Sequence, residues 1–237
     1  MSDRKTAIVT GASGGIGAGL VEALLRKGYN VVGTSLNGSQ SLTSTPSLVL
    51  VEGDIGKEET AAKTVEAAMT HFGSIDVLVN NAGIYRVKSF TDFTAADFNV
   101  LVSTNLLGFV YMTQLVVKQM VKQESGNVVS ITASLADQPI ADVHASVSMM
   151  TKGGLNAITR SLAIEYARQG IRFNAVAPGV VATSLHTDEA DTLARSPTGK
   201  VAGIKDVVEA VLYLAEADQV SGEILHVDGG AHAGCWH

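Results

Sequence analysis

The stretch TGASGGIG at residues 10–17 decides the fold, because it lies between a short apolar run and a helix-length amphipathic run. The preceding residues, TAIVT at 6–10, read as a strand. In such a turn Gly11 can make the tight bend, Gly15 lets the backbone approach a phosphate, and Gly17 permits close packing of helix on strand. The amide groups and dipole at a helix N-terminus favour a bound pyrophosphate. The stretch therefore predicts a strand–turn–helix unit that binds a dinucleotide.

Strand-like and helix-like runs alternate through the rest of the chain. The strands are apolar on both faces, which is typical of a parallel sheet covered by helices on both sides through right-handed crossovers. Residues 36–47 are too polar and too short for a good crossover helix, so we expect a loop or a single turn there. With no internal repeat and no linker, the sequence predicts a single α/β domain over residues 1–237, a doubly wound Rossmann fold with a parallel sheet of about seven strands and helices on both faces. The predicted strands are 6–10, 30–35, 48–53, 76–80, 127–132, 171–177 and 223–228, and the predicted helices are about 15–27, 57–72, 94–123, 147–169 and 204–217.

The composition narrows the class of protein. Of the 237 residues, 46% are hydrophobic and 17% are charged, which favours a well-buried globular core. The formal net charge is −6 without a long basic block, so neither nucleic acid nor an anionic membrane is an expected partner. We expect no apolar stretch that reaches the roughly 20 residues of a membrane span, and no signal peptide. The one cysteine, Cys235, excludes an intrachain disulfide, and these features together predict a cytoplasmic protein.

Further motifs follow the glycine-rich turn in order along nearly the whole chain. They are GDI at 53–55, NNAG at 80–83, Asn105 within VSTNLLGF, the segment 151–183 and VDGG at 227–230. Together they resemble the short-chain dehydrogenase/reductase family. The resemblance implies a nicotinamide dinucleotide cofactor, with the GDI turn beside the adenine and NNAG beside the cofactor at the end of the fourth strand. The cofactor-binding residues that it implies are Gly11, Ser13, Gly15, Ile16, Gly17, Ser35, Asn37, Asp54, Ile55, Asn81, Ala82, Gly83, Lys152, Pro178, Gly179, Val181 and Thr183.

The end of the second strand bears on the choice between NAD and NADP. Folds that prefer NAD usually carry an acidic residue there, which holds the ribose 2′-hydroxyl. Ser35 occupies this place and Leu36 and Asn37 follow it, so no carboxylate is present to repel a 2′-phosphate. The arginine that NADP-dependent relatives often show next to this place, or at Gly14 in the turn, is also absent, although hydroxyl donors such as Ser13 remain. We expect NADP(H) to be favoured over NAD(H).

The stretch SVSMMTKGG, which contains Ser148 and Lys152, departs from the family pattern. The resemblance implies four catalytic residues. A tyrosine exchanges a proton with the substrate oxygen, a lysine four residues later lowers the pKa of that tyrosine and holds the ribose hydroxyls, a serine hydrogen-bonds the substrate oxygen, and an asparagine anchors a relay water. Lys152 and Asn105 match the pattern, and Ser134 is the best match for the serine, with Ala133 as the alternative register. The tyrosine place holds Ser148.

Ser148 is a weak replacement for a phenol. An aliphatic hydroxyl is a far weaker acid than a phenol, whose pKa is about 10, and its oxygen stops several ångström short of the phenol position. Two interpretations stay open: Ser148 is a direct catalyst, or it is a spacer or a ligand of a water that Ser134 and Lys152 also hold and that passes a proton inward. The second is favoured, because the hydroxyl is too weak an acid and too short to replace the phenol. Activity could still survive, since losing a general acid removes about 10²–10⁴-fold in rate without removing the chemistry of the cofactor.

Other polar residues near these motifs are candidates for the missing acid. Asp142 and His144 are expected in a surface loop, and His186 and Asp188 in the variable stretch that would cover the substrate. The terminal HAGCWH has no metal-site spacing and is better interpreted as a subunit contact.

Three functions stay open at this point. The favoured one is an NAD(P)-dependent oxidoreductase acting on a small-molecule carbonyl, imine or activated alkene, since Lys152, Asn105 and Thr183 would hold a nicotinamide in a reactive pose. The alternatives are a non-redox lyase, isomerase or cyclase on the same fold, and a nicotinamide-binding sensor without turnover. The resemblance also implies a homodimer or homotetramer. The substrate itself is not predicted, because the stretch 180–200 is where such folds vary most.

Overall fold

A computed structural model describes residues 4–37, 42–182 and 197–234. These residues form a sheet of seven strands in which all neighbours are parallel, in the order β3-β2-β1-β4-β5-β6-β7. The strands are β1 (Thr6–Thr10), β2 (Asn30–Ser35), β3 (Leu48–Glu52), β4 (Val77–Asn80), β5 (Gly126–Ile131), β6 (Ile171–Pro178) and β7 (Ile224–Val227).

Helices connect the strands and cover both faces of the sheet. A six-residue π-helical segment, Val102–Leu107, joins the helices Ala95–Leu101 and Gly108–Gln123 into one continuous helix. The helices of the described residues are α1 (Gly15–Arg26), α2 (Glu58–Phe72), α3 (Ala95–Leu101), α4 (Gly108–Gln123), α5 (Ser146–Glu165) and α6 (Ile204–Glu216).

Strand β1 shows why both faces need a helical layer. All five of its residues are buried. Ala7 and Val9 pack into a cluster that includes residues of α1 and α6, while Ile8 packs into a second cluster with residues of α2 and α4. Alternate residues of a strand face opposite sides, so a run that is apolar throughout is buried only when helices cover both sides.

The predicted fold class is confirmed: the chain is a single-domain Rossmann-like α/β fold with a seven-stranded parallel sheet. The part of the expected loop that the structure describes, residues 42–47, contains no helix, and only an isolated bridge pairs Thr45 with Leu48. The predicted helix over 94–123 is continuous, but its π-helical turn has no counterpart in the sequence pattern.

One expectation about apolar stretches is wrong. The helix Ala95–Gln123, 29 residues long, is long and apolar enough by length and composition to cross a membrane. Its apolar side chains serve the fold, since Met112, Val116 and Met120 are fully buried in the cluster beneath the sheet. The helix is therefore a core element whose composition imitates a membrane span.

The carboxyl ends of β1 and β4 define a crevice. The strand order reverses between these two neighbours, so the loops that follow them run in opposite directions and leave an opening at the edge of the sheet. Ligands of open α/β sheets bind at such a switch point. The glycine-rich turn follows β1, and NNAG begins at the last residue of β4, so the fold brings both motifs to this crevice.

Candidate active site

The glycine-rich turn is closed so tightly that side chains are excluded from two of its positions. A Cβ atom at Gly17 would overlap the carbonyl oxygen of Gly11. Gly11 has a φ of +67° and a Cβ there would lie 3.0 Å from Ala82 Cα. Gly11 thus makes the tight bend of the turn, Gly17 leaves room for the carbonyl of Gly11, and the close contact of Gly11 with Ala82 ties the turn to NNAG.

Thr10 and Asn81 lock the turn to the end of β4. The hydroxyl of Thr10 accepts hydrogen bonds from the backbone amides of Asn81 (3.0 Å) and Ala82 (2.9 Å). The side-chain amide of Asn81 donates to the carbonyls of Thr10 (2.9 Å) and Gly11 (3.2 Å). Asn81 thus fixes the walls of the crevice. Thr10 belongs to the quoted motif but is not among the predicted site residues. Its position as a polar residue at the end of a buried strand is the signal that could have identified it.

The N-terminus of α1 fits a pyrophosphate. Gly14 is its N-cap residue, no side chain caps the helix, and no acidic residue lies in its first turn. Ser13, Gly14 and Gly15 are exposed, and a Cβ at Gly14 would meet nothing within 4 Å. Backbone amides that face open space at a positive helix end form a site for an anion. Ile16 is only partly buried beside this turn.

The residues expected to face the adenosine lie at the ends of β2 and β3. Ser35 ends β2, and the exposed Asn37 follows it after one residue. Asp54 accepts a hydrogen bond from the amide of Gly56 (2.9 Å), which shapes the turn after β3, and Ile55 is buried. Glu52, which the sequence did not single out, is the register partner of Ser35 on β3 and is exposed.

Gly83, Lys152 and Asn105 converge after the end of β4. A Cβ at Gly83 would lie 3.0 Å from Lys152 Nζ and 3.2 Å from Asn105 Oδ1. Lys152 Nζ donates to the carbonyl of Ile131 at the end of β5 (2.8 Å). Burial lowers the pKa of Lys152 to about 8, because the charged form loses water without gaining a carboxylate. The residues predicted to hold the nicotinamide ribose thus lie together.

Asn105 lies in the π-helical segment, and all its side-chain hydrogens are used within the fold. Its amide nitrogen donates to the carbonyl of Ile84 (3.0 Å) and to the hydroxyl of Thr151 (2.9 Å). Its oxygen accepts from the amide of Ile84 (2.8 Å). π-Turns are rare and occur frequently at functional sites. Asn105 therefore joins the loop after β4 to α5, and its role with a relay water stays a prediction.

Ser148 is fully buried and holds the backbone of Arg86. Its hydroxyl accepts from the amide of Arg86 (2.9 Å) and donates to the carbonyl of the same residue (2.9 Å). The one proton of the hydroxyl is engaged, which argues against Ser148 as the direct proton donor. The hydroxyl holds the loop after β4 to α5, and its role as a water ligand stays a prediction.

Arg86 and its neighbours form a charged cluster that no motif predicted. Arg86 and Lys88 both pair with the buried carboxylate of Asp97, Lys88 at 2.6 Å. Asp97 also accepts from the hydroxyl of Thr94 (2.8 Å) in the capping box of α3. The hydrogen bonds from Lys88 and Thr94 hold the pKa of Asp97 well below its usual range. Nothing in the sequence marks this cluster, because its members come from a loop and a cap of ordinary composition.

The loop before α5 lies against the loop after β4, which carries Arg86 and Lys88. The amide of Lys88 donates to the carbonyl of His144 (2.8 Å). His144 and Asp142 are exposed, as expected for a surface loop, and Asp142 has a φ of +62°. No hydrogen bond within the described chain brings either side chain to Lys152.

Ser134 begins a short 3-10 turn after β5 and is 5% exposed. Its hydroxyl has no hydrogen-bond partner among the described residues, while its carbonyl accepts from the amides of Asp137 and Gln138. Ala133 is partly buried one residue earlier. The two candidate positions for the catalytic serine, Ala133 and Ser134, both follow β5, and of these two Ser134 carries the hydroxyl.

A mainly apolar cavity of about 440 Å³ lies beside these residues. It includes Leu135, which follows Ser134, and Met149, which follows Ser148. The complete lining is Ser89, Phe90, Leu135, Ala136, Pro139, Ile140, Val143, His144, Ala145, Ser146 and Met149.

The turn after β6 closes the other side of the crevice. Pro178 ends β6, and the amide of Gly179 donates to the carbonyl of Val227 (3.0 Å). A Cβ at Gly179 would lie 2.9 Å from the Cβ of Asp228, so glycine is needed for this approach. Val181 is buried. The predicted residues that lie outside the described ones are Thr183, His186, Asp188, Cys235, Trp236 and His237.

This fold and site define a dinucleotide-dependent enzyme class, and the similarity to known proteins specifies it. Residues 11–232 match the family described as enoyl-(acyl carrier protein) reductase, and the chain belongs to the short-chain dehydrogenase/reductase family. It is 34% identical over 245 residues to the 3-oxoacyl-[acyl-carrier-protein] reductase FabG of Salmonella typhimurium, covering 96% of this chain and 97% of that protein.

Two solved structures show the same likeness with cofactor bound. ElxO with NADP superposes with a TM-score of 0.89 at 26% identity, covering 98% of this chain and 100% of the other. The 3-ketoacyl-(acyl-carrier-protein) reductase from Brucella melitensis with NADH gives 0.90 at 28% identity, covering 96% and 98%. The protein is thus an NAD(P)-dependent oxidoreductase, which confirms the favoured hypothesis at the level of the enzyme class.

Proposed function

We propose that the protein uses NADP(H) to reduce a small carbonyl compound with an apolar substituent, with imines and activated alkenes as further substrate classes. The observation that carries the proposal is the meeting of Gly83, Lys152 Nζ and Asn105 Oδ1 at the carboxyl edge of β4. In this family such a cluster holds the nicotinamide ribose, and here it stands intact although the tyrosine place holds Ser148.

Each residue of the cluster has a definite task. When bound, the nicotinamide supplies or accepts the hydride. The ammonium of Lys152, oriented by its hydrogen bond to Ile131, holds the ribose hydroxyls. Gly83 keeps the space beside this ammonium open, because a side chain there would approach both Lys152 and Asn105. Ser134 offers the substrate oxygen a hydroxyl that has no other partner in the described chain.

The apolar cavity supports the substrate class. It borders Ser134 and Ser148 through their chain neighbours, and Phe90, Ile140 and Val143 are among its apolar lining residues. Apolar walls of this volume with few polar groups suit a small ligand that is bound by its hydrocarbon part. We therefore place the substituent of the carbonyl compound in this cavity.

We also propose a cytoplasmic homodimer or homotetramer. Leu107 and Val121 lie about four turns apart on one helix, and Met150 and Ile164 lie equally far apart on α5. All four are exposed apolar side chains, Ile164 at 82%. Exposed apolar side chains on one face of each helix favour a subunit interface. Sedimentation velocity should give a dimer or tetramer mass, and a monomer would contradict this part of the proposal.

The function is tested by following NADPH oxidation with a panel of ketones, imines and enones that carry short apolar chains. We expect turnover with at least one class and a loss of cofactor affinity in Lys152→Met. The matched control is Lys205→Met, which removes an exposed lysine paired with Glu209 on α6. NADPH binding without oxidation by any class would overturn the proposed reductase function.

A further inference from the structure

The chain has five tyrosines, and one of them lies at the catalytic edge of the sheet. Tyr29 immediately precedes β2 and Tyr213 lies in the last turn of α6, so both are near the amino ends of strands. Tyr166 caps the end of α5 and packs on Phe173, and Tyr111 packs beneath the sheet. Only Tyr85 follows the carboxyl end of a strand, five residues after β4 ends.

Tyr85 is fixed in place through both of its chain neighbours. The amide and carbonyl of Ile84 are both hydrogen-bonded to the side chain of Asn105. The amide and carbonyl of Arg86 are both hydrogen-bonded to the hydroxyl of Ser148. Consecutive Cα atoms are about 3.8 Å apart, so the backbone of Tyr85 is held close to both catalytic-site positions.

The loop after β4, which contains Gly83 and Tyr85, also passes beside Lys152. Gly83 precedes Tyr85 by two residues, and a Cβ at Gly83 would lie 3.0 Å from Lys152 Nζ. The side chain of Tyr85 is 43% exposed, so it is not part of the core. The phenol of Tyr85 is thus attached two residues, at most about 7 Å of backbone, from the position beside the lysine that the family pairs with its tyrosine.

The serine that replaces the tyrosine is also the residue that holds this segment. Ser148 is buried, and its hydroxyl serves the backbone of Arg86 as donor and acceptor at once. A tyrosine at position 148 could not make this compact pair of bonds, because its hydroxyl lies at the far end of a ring. The substitution thus removes one phenol and fixes the loop that carries another.

We propose that Tyr85 is the proton donor to the substrate oxygen in this enzyme. The proposal rests on the proposed reductase function and deepens it by naming the acid. As the carbonyl carbon takes hydride from the reduced nicotinamide, the phenol O–H bond of Tyr85 breaks and the O–H bond of the product alcohol forms. The carbonyl is reduced, the nicotinamide is oxidised, and solvent returns a proton to the phenolate. In the reverse direction the phenolate takes the alcohol proton.

The first test compares Tyr85→Phe with Tyr213→Phe, a matched removal of an exposed phenol hydroxyl on α6. For the substrate found in the panel, we expect kcat of Tyr85→Phe to fall by about 10²–10³-fold, as for a lost general acid. The dissociation constant of NADPH, measured by fluorescence, should stay within about twofold, and Tyr213→Phe should behave as wild type. An unchanged kcat in Tyr85→Phe would overturn the role of Tyr85 and leave the reductase function standing.

The second test does not depend on turnover. Tetranitromethane nitrates accessible tyrosines, and mass spectrometry locates the product. We expect NADPH together with a substrate-like ketone to protect Tyr85 in the wild-type protein at least about fivefold, while Tyr213 reacts equally with and without them. Equal nitration of Tyr85 in both conditions would place it away from the reacting groups and overturn the inference. If the panel shows no oxidation at all, the reductase function fails on that result, and the nitration pattern still decides the position of Tyr85.

Discussion

At the scale of single residues, Ser148 shows what one buried hydroxyl can hold together. In this chain a buried hydroxyl joins α5 to the loop after β4 through both backbone groups of Arg86. Its short side chain suits this, because a hydroxyl one bond from Cβ can reach a neighbouring backbone without displacing it.

We therefore expect Ser148→Ala to lower the stability of the protein, because the hydroxyl has a structural role. Two hydrogen bonds are lost, and the backbone groups of Arg86 are left to find water, so the free energy of unfolding should fall by about 1–3 kcal/mol. Urea unfolding measures it, with Ser146→Ala, an exposed serine two residues earlier, as the control. Equal stability of the two variants would mean that the bonds to Arg86 contribute nothing.

Lys152 predicts a pH dependence of stability. Its pKa in the folded protein is about 8, against about 10.4 for an unfolded lysine, so the unfolded chain binds more protons between these values. Stability should therefore rise as the pH increases from 8 to about 10, and the cost of burying the ammonium, at most about 3 kcal/mol, should be present below pH 8.

The comparison of wild type with Lys152→Met isolates this effect. The free energy of unfolding is measured in urea at pH 7 and at pH 10 for both proteins. The value for Lys152→Met minus the value for wild type should decrease as the pH rises. Because the variant also loses the bond to Ile131, the sign of the change with pH is the diagnostic quantity. A difference that is the same at both pH values would show that the pKa of Lys152 is not lowered.

At the scale of elements, the turn between β1 and α1 depends on how closely the backbone approaches itself. Gly17→Ala places a methyl group onto the carbonyl of Gly11, which cannot move because Asn81 holds it. We expect a loss of about 3 kcal/mol or more of unfolding free energy and weaker NADPH binding.

Gly14→Ala is the matched change in the same turn. A Cβ at Gly14 meets nothing within 4 Å and the φ of −170° is extended backbone, so the cost in stability should stay below about 1 kcal/mol. Thermal unfolding and NADPH titration of both variants measure the contrast. If the two alanines were equally tolerated, the described closure of the turn would be wrong.

At the scale of the whole molecule, cofactor binding should stabilise the fold, because the crevice is built from β1, β4, β5 and α5 together. At a concentration about 100 times its dissociation constant a ligand adds about 2.7 kcal/mol, which raises the Tm of a protein of this size by about 5–11 °C. At equal concentration we expect NADPH to raise Tm more than NADH, since residues 35–37 carry no carboxylate.

The exposed Glu52 is the structural reason to measure both cofactors. It is the register partner of Ser35 and provides a carboxylate from the neighbouring strand. A larger Tm shift with NADH would contradict the preference for NADP(H) and would assign to Glu52 the role of the acidic residue missing from β2. Glu52→Gln would then be expected to equalise the two shifts.

The sequence by itself determined the fold class, the order of strands and helices, and the place of the crevice. Apolar runs of strand length, the helix-length stretches between them and glycines that tolerate no Cβ are local properties, and they suffice for a doubly wound sheet. The residues that meet at Lys152 were predicted by the resemblance to the family and not by local pattern, because Gly83 follows a strand while Asn105 and Lys152 lie on helices.

Only the tertiary structure decided what Ser148 bonds to, where Tyr85 is held, and how Arg86, Lys88 and Asp97 combine. These contacts join a loop after β4 to helices far away in the chain, and loops have no periodic pattern from which their course could be predicted. The π-helical turn at Asn105 and the core role of the apolar helix were likewise hidden, because both depend on what packs around that helix. Local chemistry sets the elements of this enzyme, and packing between distant segments sets the contacts that hold the loop after β4.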